Sequence, residues 1–467
     1  MLPDEVLLAI FDLLVDESLS AGGKETEAWQ SLVHVCRQWR RVVFGSPRRL
    51  NLRLVCTSKT SVRNTLDIWP SFPLFIIARD FDTSGVNNII AGLEHRDHVH
   101  RIDLMDVPSS QLNRFSAAMQ EPFPELIYLQ VISDYGIDSL DGPMPALPDS
   151  FLGGSAPRLQ ELNLKGIPFP GLPKLLLSAA HLDTLYLRDI PHSGYISPRE
   201  MATALSTLTS LRCFGLEFES PRSRPYRESG RPPFLTRSVL PVLTDLSFKG
   251  VCEYLDNLVA LIDTPQLTKL QIIFFNQAVF DAPQLVQFIC RAEALKTLEK
   301  ARLICTFGAA MVKLSPQASR STSLCVIILC RDLDRQIWSL GQVFTLCLPH
   351  LSALEDCYIY GDRQPELQDK MVDELWLELL YPFTAARNLY ITEEFAQRIV
   401  PVLQEVVRAR TTQVFPALRN IFLEGLQPSG PVQESVGHFA ATRQAIGHPI
   451  AVSRWVRDRT IYYEFVN

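Results

Sequence analysis

Apolar residues fall along this chain in two rhythms. Near the start, Val6, Leu7, Ile10, Leu13 and Leu14 recur at steps of three and four, the spacing of one helix face. Pro3 suits a first helical turn, and Asp4 and Glu5 suit a positive helix N-terminus. Gly22 and Gly23 break the pattern. A second periodic segment starts near Thr26, with Trp29, Leu32, Val33 and Cys36 on one face, and runs through Trp39, Val42, Val43 and Phe44 until Pro47 stops it. Three short helices of this size bury little surface by themselves, so their apolar faces need a partner or the rest of the chain.

From about residue 99 the rhythm changes to a degenerate Leu-x-x-Leu-x-Leu. The copies begin at Val99, Leu126, Leu159, Leu182, Leu211, Leu243, Leu267, Leu298, Leu354, Ala386 and Leu418, and Leu324-x-x-Ile327 fills the gap before Leu354. Steps average about 29 residues, at the long end of leucine-rich repeats. The Leu-x-Leu core predicts a short strand with alternate residues pointing inward. The remaining residues return as helix or irregular crossover, as at 198–207, 255–262, 284–292, 375–380 and 393–408. A second echo follows the strand: Leu104-Met-Asp106-Val-Pro, Leu164-Lys-Gly166-Ile-Pro and Leu187-Arg-Asp189-Ile-Pro. Gly or Asp followed by an apolar residue is turn chemistry. Residues 428–447 predict a final helix and 450–456 an extended segment, which together cap the last repeat.

At 467 residues, 47% apolar and 21% charged, the chain is globular and long enough for a large core. Its net charge of −6 argues against a nucleic-acid-binding surface. Asp4, Glu5 and Asp12 without a basic leader do not make a secretory signal. The longest apolar run, Leu324 to Cys330, is far shorter than a membrane span, so no membrane association is expected. Ten cysteines without a Cys-x-x-Cys pair read as reduced thiols of a cytosolic or nuclear protein.

Chemistry-bearing clusters are few. His95-x-x-His98-x-His100 has metal-like spacing but no fourth ligand nearby, and no metal or other cofactor is expected. No phosphate loop, Gly-x-Ser-x-Gly elbow or His-Glu-x-x-His is present, so no catalytic residues are assigned. Between Ser220 and Phe234, Arg222, Arg224, Arg227 and Arg231 lie among prolines. They form either a solvated linker or a cluster that pairs with an acidic or phosphorylated segment. The residue between the two strand leucines points outward. In the last three copies it is Tyr358, Tyr390 and Phe422, with Tyr360 beside the first, and Tyr128 and Tyr186 are expected at the same position earlier. These rings form either a binding stripe or a set packed on one another.

The order Leu2-Pro3-x-Glu5-Val6, Ile10-Phe11-x-x-Leu14, Val35-Cys36-x-x-Trp39 resembles the F-box, and the whole chain is similar to the F-box and leucine-rich-repeat-like proteins that fungi carry in large families. The loop from Ser18 to Glu25 is longer than in a compact F-box, and the motif starts at residue 2, which a misplaced start site would explain. The resemblance implies an α/β fold: a three-helix F-box, then an irregular leucine-rich-repeat-like solenoid with a parallel sheet on its concave face. The boundaries are 1–49 for the F-box, 50–97 for a connection and N-terminal cap, 98–426 for the repeats and 427–467 for a C-terminal cap and tail. It also implies that Leu2, Pro3, Val6, Ile10, Leu14, Val35, Cys36 and Trp39 bind a Skp-family adaptor and, through it, a cullin and a RING subunit. The repeats would hold a target protein for ubiquitination. A scaffold acting outside ubiquitination is the alternative.

Overall fold

The computed structural model describes residues 2–20, 28–46, 50, 52–59, 69, 72–79, 81–133, 145–221, 237–277, 279–317, 321–346, 348, 351–361, 372–408, 414–424 and 431–456. The chain divides into two compact units, Met1–Leu211 with Arg222–Tyr226, and Arg212–Pro221 with Arg227–Asn467.

The first unit opens with helices α1 (Asp4–Ser20), α2 (Ala28–Val33) and α3 (Arg37–Gly45). The second periodic segment is two helices. The break is at Cys36, whose extended backbone (φ −159°) places its thiol to accept from the Trp39 amide at 3.5 Å as an N-cap. Leu7, Phe11, Leu32, Val33, Val42 and Val43 are buried between the helices. Phe11 meets the edge of Trp39 at 4.9 Å, and Gln38 and Arg41 tie α3 back to Asp4.

Strands β1 (Leu54–Cys56), β2 (Leu74–Ala78), β3 (Val99–Val107), β4 (Tyr128–Ser133), β5 (Glu161–Lys165) and β6 (Thr184–Ile190) follow, all parallel and adjacent in chain order. Two of them, β1 and β2, precede the first sequence copy. The leucine pattern sets the register. Ile102, Leu129, Leu162 and Leu185 align across β3 to β6, as do Leu104, Val131, Leu164 and Leu187, and all eight are buried. Each such burial stabilises by roughly 1.5–3 kcal/mol. The echo after the strand has a backbone cause: Asp106, Gly166 and Asp189 all take left-handed φ, at 59°, 71° and 49°. Gly adopts that region freely and Asp tolerates it better than most residues. The following Val107, Ile167 and Ile190 then turn into the core. The helix Pro198–Leu205 starts with a capping box between Ser197 and Glu200.

In the second unit the strands are β7 (Cys213–Phe218), β8 (Ser238–Val239), β9 (Asp245–Gly250), β10 (Ile262–Asp263), β11 (Lys269–Phe275), β12 (Lys300–Cys305), β13 (Ala309–Ser315), β14 (Ser323–Leu329), β15 (Asp356–Gly361), β16 (Asn388–Thr392), β17 (Asn420–Glu424) and β18 (Ala451–Trp455). Strands β8 and β10 pair only with each other. The others run in the order β7-β9-β11-β14-β13-β12-β15-β16-β17-β18. Helices occupy the expected returns, at Cys252–Leu261, Pro283–Arg291, Val372–Leu380 and Glu393–Arg408, and Pro431–Ala445 precedes β18.

One expectation fails here. The repeat pattern predicts strands paired only in parallel, but β12, β13 and β14 form an antiparallel meander. The phase of the Leu324 copy is also different. Leu324 and Val326 align with Leu270 and Ile272, and Ile327 faces outward. A run that is apolar on both faces carries no alternation from which its phase can be read. Gln336, fully buried on the helix Leu333–Leu346, fastens the meander by donating to the carbonyls of Thr306 and Cys330 at 3.0 and 2.7 Å.

Candidate functional site

Two surfaces carry the sequence-predicted site residues. The first lies on the N-terminal helices. Burying Leu7 and Phe11 turns Val6, Ile10 and Leu13 to the other side of α1. There they are 42%, 38% and 69% exposed, with Leu2 at 53% and Val35 at 58%. Pro3 and Cys36 are exposed as well, whereas Trp39 is half-buried against Phe11. The Leu14 side chain lies outside the described residues. The stripe read from the sequence is therefore two faces, one packing the helices and one left to solvent.

The second surface is the outward face of the sheet in the second unit. Side chains alternate along a strand, so the residues between the inward pairs share that face. Cross-strand pairing places Cys325, Lys313, Arg302, Tyr358, Tyr390 and Phe422 in one row. Tyr358 stacks on Tyr390 at 4.1 Å and 7°, and Tyr390 on Phe422 at 4.4 Å and 9°. Trp455 of β18 lies 5.9 Å from Tyr358 and 5.5 Å from Tyr390, tilted to both. Arg302 lies 5.5 Å from the Tyr358 ring centre and donates to Ser315 Oγ at 3.3 Å.

On one side of this row, Ile304, Met311 and Tyr360 form a buried apolar cluster with Cys325 of the row, against which Ile327, Tyr358 and Trp455 pack. Tyr360 is therefore a packing residue, 5% exposed, rather than part of an open stripe. On the other side, an amide ladder runs along the sheet. Asn420 Nδ2 donates to Asn388 Oδ1 at 2.8 Å, and Asn388 Nδ2 to Asp356 Oδ1 at 2.7 Å. The ladder, Trp455 and the Arg302–Lys313 pair are not among the residues singled out from the sequence. The recurrence of Asn two residues before Tyr390 and Phe422 is the signal that finds the ladder. The cation pair follows only from the antiparallel register.

Burial pushes the Tyr358 phenol up, with Tyr390 and Asp356 adding to it, and burial likewise raises Tyr390. The Tyr358 hydroxyl donates to that of Tyr390, which raises Tyr358 further and opposes the rise of Tyr390. Burial pushes the Cys325 thiol up to about 12 and raises Cys357 also, so neither supplies a thiolate.

The remaining candidates separate. Tyr186 sits beside Asn163 in register, but Tyr128 pairs with Arg101 and Glu161, one position earlier than expected. His100 Nδ1 contacts the His98 carbonyl at 3.0 Å, and its Nε2 lies 3.8 Å from Glu125, while His95 is exposed. Among the described residues, no group of three or more His, Cys, Asp or Glu is placed to hold a metal ion, and no helix is long and apolar enough to cross a membrane. Arg222, Arg224, Arg227 and Arg231 lie outside the described residues.

No family model matches the chain, and no curated protein matches it. Among solved structures, it is similar to the leucine-rich repeat-containing protein LegL7 from Legionella pneumophila, at 11% identity and a TM-score of 0.30, over 84% of this chain and 97% of that one. A superposition that loose leaves the leucine-rich-repeat-like character to rest on the chain's own strands. Their parallel pairing, aligned inward leucines and intervening helices have the form of such repeats, an architecture suited to protein interaction.

Proposed function

We propose that this chain is the substrate-recognition subunit of a Skp-cullin-F-box type ubiquitin ligase. Its N-terminal helices would dock on a Skp-family adaptor, which brings the cullin and RING subunit, and its repeats would hold a target protein. The observation that carries this reading is the exposed apolar face of α1 formed by Val6, Ile10 and Leu13, with Leu2 and Val35 also exposed on the same small helical module. Clustered apolar exposure of this kind marks an interaction site. Four of these, Leu2, Val6, Ile10 and Val35, are positions at which the F-box resemblance places adaptor contacts. The chain supplies no bond chemistry in this scheme. It accelerates transfer by raising the local concentration of the target lysine. It needs no cofactor, nucleic acid or membrane, and it works in the cytoplasm, the nucleus or both.

The test is co-expression with a Skp-family adaptor. A stable one-to-one complex is expected. The double variant Val6→Glu, Val35→Glu changes only exposed positions and should weaken it by at least about tenfold, or 1.4 kcal/mol. A folded chain that binds no adaptor removes the ligase role and leaves a protein-interaction scaffold acting outside ubiquitination.

A further inference from the structure

We infer that the outer edge of β18 is a docking site for an extended segment of the target protein, which adds to the sheet as a further strand and sets an apolar residue beside Val452 and a carboxylate beside Arg454. The inference rests on the target-binding half of the proposed function and not on the adaptor.

The backbone is the first ground. β18 is the last strand of its sheet, and among the described residues it pairs only with β17, in parallel. Ala451 donates to the Arg419 carbonyl at 2.8 Å, so Ala451, Ser453 and Trp455 turn their peptide groups to β17. Val452 and Arg454 turn theirs the other way. Their N–H and C=O groups lie at strand spacing, on a strand exposed from Ala451 through Arg454. Such an edge is a template for another extended chain. Neither a nucleic acid nor a lipid offers the matching alternation of amide donors and acceptors.

The side chains are the second ground. Val452 and Arg454 stand in register with Ile421 and Leu423, which are buried. On β18 the same side opens to solvent. Val452 is 37% exposed, and Arg454 is exposed and has no ion pair among the described residues. A charge on the inward side of an edge strand disfavours an apolar strand laid against it. A carboxylate directly opposite turns that penalty into a cross-strand ion pair. Residues two apart on one face of β18 meet residues two apart on the added strand. The expected segment therefore carries Val, Ile or Leu and Asp or Glu, with one residue between them.

The test selects a random-peptide display library on the full chain and measures the selected peptides by fluorescence anisotropy. They should share the spacing of one apolar and one acidic residue. Val452→Pro removes an N–H of the outer edge without touching the bonds to β17, and it should weaken those peptides by at least about tenfold. Arg454→Glu should weaken them by a similar factor and shift selection to Lys or Arg at the acidic position. Circular dichroism confirms that both variants fold. Peptides without that spacing, or peptides that both variants still bind, would overturn the inference. So would a homodimer that Val452→Pro dissociates, or peptides selected only after residues 457–467 are removed, because the edge would then be taken by this chain itself. A peptide bound in the expected way by a chain that takes no adaptor would leave the inference standing and remove the ligase reading.

Discussion

The strands of the two units follow the same inward pattern and differ in what they turn outward. In the first unit, the position between the inward pair is held by Asp103, Gln130, Asn163 and Tyr186. Gln130 Nε2 donates to Asp103 at 2.9 Å, Asn163 Nδ2 to Gln130 at 2.6 Å, and Tyr128 Oη also to Gln130 at 3.2 Å. Arg101 completes this network, 2.9 Å from Asp103 and 3.7 Å from the Tyr128 ring centre. In the second unit the same position holds Arg302, Tyr358, Tyr390 and Phe422, and the amides sit one outward position earlier. Exchanging these two rows leaves the leucines untouched. The first unit's row spends most of its amide groups on its own neighbours. The second unit's row stacks its rings on one another instead. The repeat frame thus fixes the fold, and the outward rows set the two units apart.

The largest test of that contrast is to place a charge on the apolar side. Met311→Asp would bury a carboxylate among Ile304, Cys325 and Tyr360. It should cost about 3 kcal/mol or more, read as a lower urea midpoint. The reciprocal change in the first unit, Gln130→Leu, leaves Asp103 and Asn163 without their shared partner. It should cost about 1–3 kcal/mol, because the penalty is an unmade hydrogen bond rather than a buried charge. Equal losses would mean that the two faces do not differ in polarity as described. Next in size is Tyr390→Ala, which removes two stacked contacts worth about 0.5–1.5 kcal/mol each beyond area burial. The double variant with Phe422→Ala should lose less than the sum of the single variants, since both break the same contact. Additive losses would show that the rings do not act as one ladder.

Much of this frame is legible in the sequence. The copies starting at Leu126, Leu159 and Leu182 fall into register, and so do those at Ala386 and Leu418. The Asp/Gly echo marks three left-handed turns. Tyr358, Tyr390 and Phe422 stack because their copies align. The antiparallel strand β13 is not legible, because its pattern, Ala-Ala-Met-Val-Lys-Leu-Ser, matches no repeat copy and says nothing about direction. The pairing of Arg302 with Lys313 depends on that strand and is lost with it. On the N-terminal helices, periodicity finds the apolar residues but not which of α1's two apolar faces is buried. Leu7 and Phe11 differ from Val6 and Ile10 only in what α2 and α3 bring to them.

The smallest expected effect separates two of the outward tyrosines, Tyr358 and Tyr128. Burial raises Tyr358 above the ordinary 10.0 of a phenol, with Tyr390 and Asp356 adding to the rise. Burial and Asp103 raise Tyr128, while the stacked Arg101 opposes them. A phenol whose folded pKa is raised contributes stability that is fully present below the unfolded value, near pH 10, and is lost as pH climbs toward the folded value. Wild-type stability should therefore fall above about pH 10. Tyr358→Phe should flatten that fall, because the variant has no phenol to ionise on unfolding. Tyr128→Phe should flatten it less, because Arg101 favours the phenolate already in the folded state. Urea titrations at mildly and strongly alkaline pH would measure both slopes. A Tyr358→Phe curve parallel to wild type would show that this ring is not desolvated. The aromatic row would then be an open stripe rather than the half-buried ladder that sets the second unit apart.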